Sequence, residues 1–264
     1  MNAHRSSAQR RKPLSALKAG KKLFSVIVPT RNEEKLLARC LEQFPAEFRS
    51  KFSLEVIVSD AGSTDNTLGI AAAYADQIAV HHEEERRQTI SEGRNRGAAI
   101  ANGSILVFLN ADTRMADPEA FFQRLSLRFS LDPTLAALAV KVQIFPEERR
   151  LSDRLFHSFF NGYVGFLNSL GIGAGRGECQ IVRRDVFEAV KGYNEDFPAG
   201  EDFDLYNRIS SFGKVVYDAK LLIYESPRRF RKYGYFSVYK SWVKNGVSTF
   251  FSKKPVSEVW EEVR

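Results

Sequence analysis

The chain has 264 residues, of which 44% are apolar, and a formal net charge of +7 at pH 7. This length and composition exclude a disordered, fibrous or disulfide-stapled protein and fit one large globular domain or two small ones. The two cysteines, Cys40 and Cys179, are far apart in the sequence. Their spacing argues against a disulfide framework and against a zinc site, so we expect both to be small buried side chains in a reducing compartment.

The positive charge is concentrated at the amino terminus. Residues 1–22 contain seven Lys or Arg and no Asp or Glu, whereas residues 23–264 carry equal numbers of basic and acidic side chains. A nucleic-acid-binding domain normally carries its charge on a folded face, so we expect no nucleic acid partner. Residues 1–22 are predicted to be a disordered basic leader, with an organelle transit peptide as the alternative.

Short apolar runs rich in Val and Ile alternate with helical patterns in the first half of the chain. Such alternation predicts an α/β fold with a parallel sheet covered on both faces. Ligands of these sheets bind beyond the carboxyl ends of the strands, where we expect three polar segments to converge. The runs are residues 24–28, 54–58, 77–80 and 105–109, and the polar segments are residues 29–34, 60–67 and 110–113.

The second half has a different pattern, without a Pro- or Gly-rich linker at its start. The uncharged stretch Leu155–Gly175 contains five glycines and is too polar for a membrane span, so it is predicted to pack on the domain, with a membrane surface as the alternative. The predicted elements are a strand at 135–145, a helix at 151–170, a loop at 171–177, a strand at 180–182 and a helix at 202–212.

Two acidic segments have patterns typical of chemistry at a sheet edge. Asp60 ends the second strand and is expected to be free to accept hydrogen bonds from a base or ribose. Asn110 and Asp112 follow the fourth strand at positions i and i+2, which point the same way in an extended chain. Oxygen ligands of this kind suit Mg²⁺ or Mn²⁺ with attached phosphates, and an Asx turn is the alternative.

A third acidic segment and two basic ones complete the candidate site. Three carboxylates in four residues at a predicted helix start, at positions 201, 202 and 204, suggest a catalytic carboxylate whose neighbours raise its pKa. Helix capping explains one of them. The basic group Arg228, Arg229, Arg231 and Lys232 could neutralise a diphosphate or face anionic lipid, and Arg94, at a predicted helix start, is a second phosphate candidate.

In their order along the chain, these segments resemble the family 2 glycosyltransferases of the GT-A fold. The resemblance implies a Rossmann-like, mostly parallel sheet flanked by helices, with a nucleotide-sugar half followed by an acceptor-binding half. It also implies inverting transfer, for which we expect a hydroxyl acceptor on a glycan or a lipid-linked molecule. The segments are FSVIVPTRNEE (24–34), VIVSDAGSTDNT (56–67), GRNRGAAIANGSILVFLNADT (93–113), GECQIVRRDVFEAVKGYNEDFPAGEDFDLYNRI (177–209) and SPRRFRKYG (226–234).

The resemblance also implies a role for particular residues. Asp202 would be the general base beside Glu201, Asp112 would coordinate Mg²⁺ or Mn²⁺, and Arg228 or Arg229 would bind phosphate. The sequence departs from the family pattern at Asn110, in place of an acid, and at Ala61, in place of a second Asp. Donor binding is expected from Pro29, Thr30, Arg31, Glu33, Asp60, Arg94, Asn110, Asp112, Arg228 and Arg229.

The predicted organisation is a leader at 1–22, a catalytic domain at 23–234 divided into halves 23–114 and 115–234, and a helical tail at 235–264. Gly173, Gly175 and Gly177 would let the acceptor loop approach the sugar. Two alternatives remain: a non-catalytic nucleotide-sugar or glycan-binding module, and a membrane-surface scaffold using the leader and residues 232–254. The expected location is cytoplasmic, with an anionic membrane surface on the cytoplasmic face as a further partner.

Overall fold

The protein is described by a computed structural model covering residues 23–81, 88–197 and 200–240. The predicted leader and residues 241–264 of the predicted tail lie outside the described residues, and residues 235–240 are helical. The strands are β1 (Phe24–Thr30), β2 (Leu54–Asp60), β3 (Gln77–Val80), β4 (Ile105–Leu109), β5 (Thr113–Met115), β6 (Leu135–Ile144), β7 (Cys179–Arg183) and β8 (Lys214–Glu225). The helices are α1 (Leu37–Leu41), α2 (Ala46–Phe52), α3 (Thr67–Tyr74), α4 (Ile90–Ile100), α5 (Pro118–Leu131), α6 (Leu151–Ser169), α7 (Arg184–Ala189), α8 (Glu201–Ser210) and α9 (Arg228–Tyr233).

The first half of the sheet is parallel, as predicted. Strands β3, β2, β1 and β4 are neighbours in that order, and each pair between them is parallel. The Val, Ile and Leu side chains of β1, β2 and β4 are buried on both faces, which is what a parallel sheet covered by helices requires. The carboxyl ends of β1, β2 and β4 therefore meet at one edge, and the expected convergence of the three polar segments is confirmed.

The second half of the same sheet mixes both strand directions. Strand β7 runs antiparallel to β4 and to β6, β6 is parallel to β8, and β5 is antiparallel to β8. The sheet as a whole is mostly parallel, as predicted, and each of its antiparallel pairs involves a strand of the second half. Because β4 pairs with β7, the sheet is continuous between the two predicted halves and brings the loop before β7 beside the end of β4.

The glycines of the loop before β7 have two different roles. A Cβ at Gly173 would lie 1.9 Å from the carbonyl oxygen of Tyr206, and one at Gly175 would lie 2.8 Å from the ring of Tyr206. These two glycines are required by close packing of the loop on α8. Gly177 instead faces the candidate site, where a Cβ would lie 3.3 Å from Asp202 Oδ2.

The remaining expectations for buried segments are confirmed. Cys40 and Cys179 are buried and form no disulfide, and burial raises the pKa of both thiols, so both stay neutral. Helix α6 packs against β6 and β8 through one face. Over the described ranges, no helix has the length and apolarity needed to cross a membrane.

Candidate active site

Asp60 is held in the turn after β2. Thr30 Oγ1 donates to Asp60 Oδ2 at 2.9 Å, and Ser63 donates its backbone N–H to Oδ1 at 2.7 Å and its hydroxyl to Oδ2 at 2.6 Å. The Asp60 side chain is fully buried. Three donors in the turn thus engage the Asp60 carboxylate, and its predicted hydrogen bonds to a base or ribose stay a prediction.

The loop after β1 is tied to the loop after β2. The backbone N–H of Asn32 donates to Ser63 Oγ at 2.8 Å, Thr64 N–H donates to Asn32 Oδ1 at 2.7 Å, and Glu33 N–H donates to Thr67 Oγ1 at 2.8 Å. Asn32 adopts a left-handed conformation, with φ of 49°, that turns the chain toward this partner loop. The two loops thus form one wall at the edge of the sheet.

Two other predicted donor residues lie on the same wall. Pro29 is half-buried in β1 opposite Ser59 of β2, and the half-buried Arg31 follows the strand directly. Both residues lie at the carboxyl end of β1. The structure therefore brings Pro29 and Arg31 to the side of the sheet edge where the resemblance places a base and ribose.

Arg94 joins three parts of the site that are distant in sequence. It lies one turn inside α4, not at the helix start as predicted, and it is only 1% exposed. Its Nη1 donates to Glu201 Oε1 at 2.8 Å, and its Nη2 donates to Asn110 Oδ1 at 3.2 Å and to the Gly177 carbonyl at 2.6 Å. The guanidinium therefore fixes the end of β4, the glycine loop and the start of α8 relative to one another.

The carboxylates of Asp112 and Glu33 both pair with Arg228, the first residue of α9. Arg228 donates to both carboxylate oxygens of Glu33, at 2.9 and 2.6 Å, and Arg228 Nε lies 3.2 Å from Asp112 Oδ2. The two carboxylates raise the pKa of Arg228 despite its partial burial. Arg228 is thus a positive charge held between the ends of β1 and β4, where a diphosphate and its cation are expected.

Glu201 and Asp202 open helix α8 after Gly200, which has a left-handed φ of 83°. Burial and the adjacent Glu201 carboxylate raise the pKa of Asp202 to about 7, and Arg94 partly opposes this rise. The Asp202 side chain remains partly exposed, whereas Glu201 is buried against Arg94. Asp202 is therefore a partly exposed carboxylate that can exchange a proton near neutral pH.

A buried charged cluster was missed by sequence reasoning. Arg176 donates to Glu178 Oε1 at 2.7 Å, to Glu225 Oε1 at 3.0 Å and contacts His157 Nδ1 at 3.1 Å. Burial raises the pKa of Glu225 well above its usual value, whereas Arg176 lowers that of Glu178, and burial lowers that of His157. Arg229 interacts electrostatically with Glu225, Glu178 and Asp112, so the cluster adjoins the predicted phosphate side.

The residues present fit a cation that arrives with a diphosphate. No three His, Cys, Asp or Glu side chains within residues 23–81, 88–197 and 200–240 are grouped to hold a metal ion. The Oδ1 atom of Asn110 is engaged by Arg94, so Asp112 supplies the carboxylate of this segment. Mg²⁺ uses as few as one or two carboxylates when substrate phosphates and water complete its shell, and Asp112 would be the carboxylate available for that arrangement.

The family follows from sequence comparison. A family model described as "Glycosyl transferase family 2" matches residues 25–191, which is more than half of the chain. The chain belongs to the family 2 glycosyltransferases. The matched region contains the ends of β1, β2 and β4 together with Arg94, Gly177 and the glycine loop.

The curated relatives align with only part of this chain. A validoxylamine A glucosyltransferase of Streptomyces hygroscopicus subsp. limoneus is 33% identical over 99 residues, covering 37% of this chain and 22% of that protein. A PGL/p-HBAD biosynthesis glycosyltransferase of Mycobacterium bovis is 33% identical over 101 residues. This alignment covers 37% of this chain and 38% of the Mycobacterium bovis protein. The matches thus span well under half the length of these curated relatives.

Solved structures support the GT-A fold of this family 2 member. The mannosyltransferase PcManGT from Pyrobaculum calidifontis, solved with GDP-Man and Mn²⁺, superposes with a TM-score of 0.65 at 20% identity, covering 89% of this chain and 64% of that one. Glucosyl-3-phosphoglycerate synthase from Mycobacterium tuberculosis, solved with Mn²⁺, UDP and glucosyl-3-phosphoglycerate, gives 0.59 at 18% identity, covering 92% and 84%. At this level of identity the likeness establishes the fold.

Proposed function

We propose that this family 2 member is an inverting glycosyltransferase that moves a sugar from a nucleotide-sugar donor to a hydroxyl of a glycan or lipid-linked acceptor. The observation that carries the proposal is Asp202, a partly exposed carboxylate with a pKa raised to about 7 beside the loop of Gly177. Relatives named as glucosyl- and mannosyltransferases, one of them solved with GDP-Man and Mn²⁺, support this class of donor.

In the proposed mechanism, the wall formed by the loops after β1 and β2 binds the base and ribose. The hydrogen bonds among Asn32, Ser63 and Thr64 fix its backbone before the donor arrives, so little ordering remains on binding. Buried Asp60 keeps Thr30 and the turn in place. The donor contacts proposed for this wall come from Pro29, Thr30, Arg31, Glu33 and Asp60.

The diphosphate side contains the positive charges. Displacement of a nucleoside diphosphate leaves negative charge on the departing phosphate, and fixed cations stabilise that charge most when they are positioned beforehand. Arg228 and Arg229 lie beside Asp112, which would hold a Mg²⁺ or Mn²⁺ ion with the diphosphate. When bound, such an ion supplies Lewis-acid stabilisation of the leaving group.

Asp202 is proposed to take the proton of the acceptor hydroxyl as that hydroxyl attacks the anomeric carbon. The bond to the donor phosphate breaks as the new glycosidic bond forms, and this single displacement inverts the configuration. A base with a pKa near 7 suits this proton transfer at neutral pH. Buried Glu201 and Arg94 hold the first turn of α8, so we assign them to positioning Asp202.

Stereochemistry tests the proposal directly. The full chain with Mn²⁺ should consume one or more UDP- or GDP-linked sugars, and proton NMR of the product anomeric signal should show the configuration opposite to that of the donor. Retained configuration would contradict the single displacement. Donor binding measured by calorimetry without any turnover on acceptors or water would instead support the non-catalytic binding module.

The pH dependence tests Asp202 as a base. Because the base must be deprotonated, kcat/KM should rise with pH through about 7 and level off above it. A pH–rate profile at saturating Mn²⁺, compared with donor binding over the same range, separates proton transfer from binding. A profile that falls as pH rises through this window would rule out the proposed role of Asp202.

A further inference from the structure

The solvent-facing side of helix α6 has an unusual composition for an exposed helix. Its large apolar side chains recur every three or four residues and are between 43% and 69% exposed, so they form one continuous stripe. Contiguous exposed apolar surface of this kind is uncommon on a protein that stays in water. The stripe, here called the α6 face, consists of Leu151, Leu155, Phe159, Tyr163, Phe166 and Leu170.

The chain that follows α9 extends this surface. The Tyr235 ring packs 4.7 Å from the Phe156 ring, and the Tyr239 ring lies 6.0 Å from the Phe160 ring, so residues 235–240 run along α6. In this segment Phe236 is 80% exposed. Aromatic side chains of the segment thus lie beside the α6 face on the same side of the molecule.

The exposed charges on α6 and in the segment after α9 are basic. Asp153 is the acidic residue of α6, and it is fully buried in an ion pair with Arg231 at 2.7 Å. Residues 228–240 contain five Lys or Arg and no acid. Arg154 is exposed on α6, and Lys232 and Lys240 are exposed in the segment that packs beside it. Of the two acids before α6, Glu147 pairs with Arg39 and Arg114, and Glu148 interacts with Arg231.

We propose that the α6 face docks on the surface of an anionic phospholipid bilayer. A helix with one apolar face and basic flanks lies in the plane of the interface, with its apolar side chains among the acyl chains and its basic side chains at the headgroups. The absence of exposed carboxylates on α6 favours anionic lipid over a neutral apolar partner. The helix does not span the bilayer, in agreement with the polar side chains on its opposite face.

The buried side of α6 adjoins the candidate active site. His157 of α6 contacts Arg176, which in turn pairs with Glu178 next to the loop of Gly177. Since a helix with its side chains is about 10–12 Å across, docking places the acceptor side of the site about one helix diameter from the lipid surface. A lipid-linked acceptor is the class that this placement suits, and this last step rests on the proposed function.

Vesicle binding by the full chain tests the docking proposal. The wild type should sediment with vesicles of phosphatidylcholine and phosphatidylglycerol in equal amounts and bind phosphatidylcholine vesicles at least about tenfold more weakly. The double variant L151S/L155S should lower partitioning to the mixed vesicles about tenfold or more. The matched control is L127S/L131S, which makes the same exposed Leu-to-Ser changes at the same spacing on α5.

Charge reversal provides a second, independent variant. R154E/K232E should weaken binding to the mixed vesicles at least about tenfold, because each basic side chain near an anionic surface contributes about fivefold in affinity. The control K191E/K220E changes the net charge equally at exposed positions that lie neither on α6 nor in residues 228–240. Circular dichroism of each variant shows whether the fold is kept.

Three outcomes would overturn the proposal. If L151S/L155S binds vesicles as the wild type does, the basic leader alone is sufficient for membrane binding. If that variant dissociates a dimer without changing vesicle binding, a second copy covers the α6 face. If both Leu-to-Ser pairs reduce binding equally, the effect is not specific to α6. Donor hydrolysis in vesicle-free buffer reports the proposed function separately, so the two failures are distinguishable.

Discussion

Replacing Asp202 by Asn is expected to lower kcat/KM for sugar transfer about 10³-fold and, at pH 8, to raise the melting temperature. The first effect follows from loss of the base. The second follows from linkage: burial raises the pKa of this carboxyl from 3.8 to about 7, so the folded state holds the proton more tightly than the unfolded chain. Stability is therefore lost as pH rises from about 3.8 toward 7, and the neutral Asn does not incur that loss.

A matched control is two residues away on the same helix. Asp204 accepts a hydrogen bond from Arg208 Nε, one turn further along α8, at 2.8 Å. Asp204→Asn should leave transfer within a few-fold of wild type and should not raise the melting temperature at pH 8. Equal rates for Asp202→Asn and wild type, measured with one donor and acceptor, would remove Asp202 from the mechanism.

Replacing Asp112 by Asn is expected to remove the dependence of donor binding on the cation and to lower transfer on the order of 10³-fold. The reason is that Asn110, two residues earlier, already gives its side-chain oxygen to Arg94 and cannot compensate. Calorimetry with a nucleoside diphosphate, with and without Mn²⁺, measures the effect. Chelation of the cation should lower wild-type transfer to the level of the variant.

The exposed carboxylate Asp185 on α7 supplies the control for this second change. Asp185→Asn also removes one negative charge but lies away from the ends of β1 and β4. Donor binding by this variant should still strengthen when Mn²⁺ is added. If Asp112→Asn retains the wild-type response to Mn²⁺, Asp112 does not coordinate the cation and the ion is bound elsewhere or not required.

The sequence predicted the parallel half of the fold better than the second half. Runs such as 24–28 and 105–109 are apolar on both faces and short, which is a local signal for a buried strand. Strand β8, twelve residues long, was not predicted, because Asp218–Lys220 interrupts its apolar pattern. That interruption coincides with a register shift in its pairing with β6, a feature set by the partner strand and not by local sequence.

The same distinction between local signals and contacts across the chain applies to the candidate site. Asp60, Asp112 and Asp202 were selected as candidates because each follows a strand or opens a helix. The ion pairs near them could not be predicted: Arg94 and Glu201 are 107 positions apart, and Arg228 and Glu33 are 195 apart. The cluster around Arg176 depends on three separate segments, so composition and spacing carried no signal for it.

The position of Arg228 has a consequence for the order of binding. A guanidinium that already neutralises Glu33 and Asp112 competes with a free metal ion for the same oxygens. A diphosphate gives Arg228 another anionic partner, so donor binding releases Asp112 for the cation in the proposed site. Donor and cation affinities are then coupled, and because such coupling is reciprocal, each must tighten the other by the same factor. In the proposed site, the tethered arginine would therefore make donor and cation bind together.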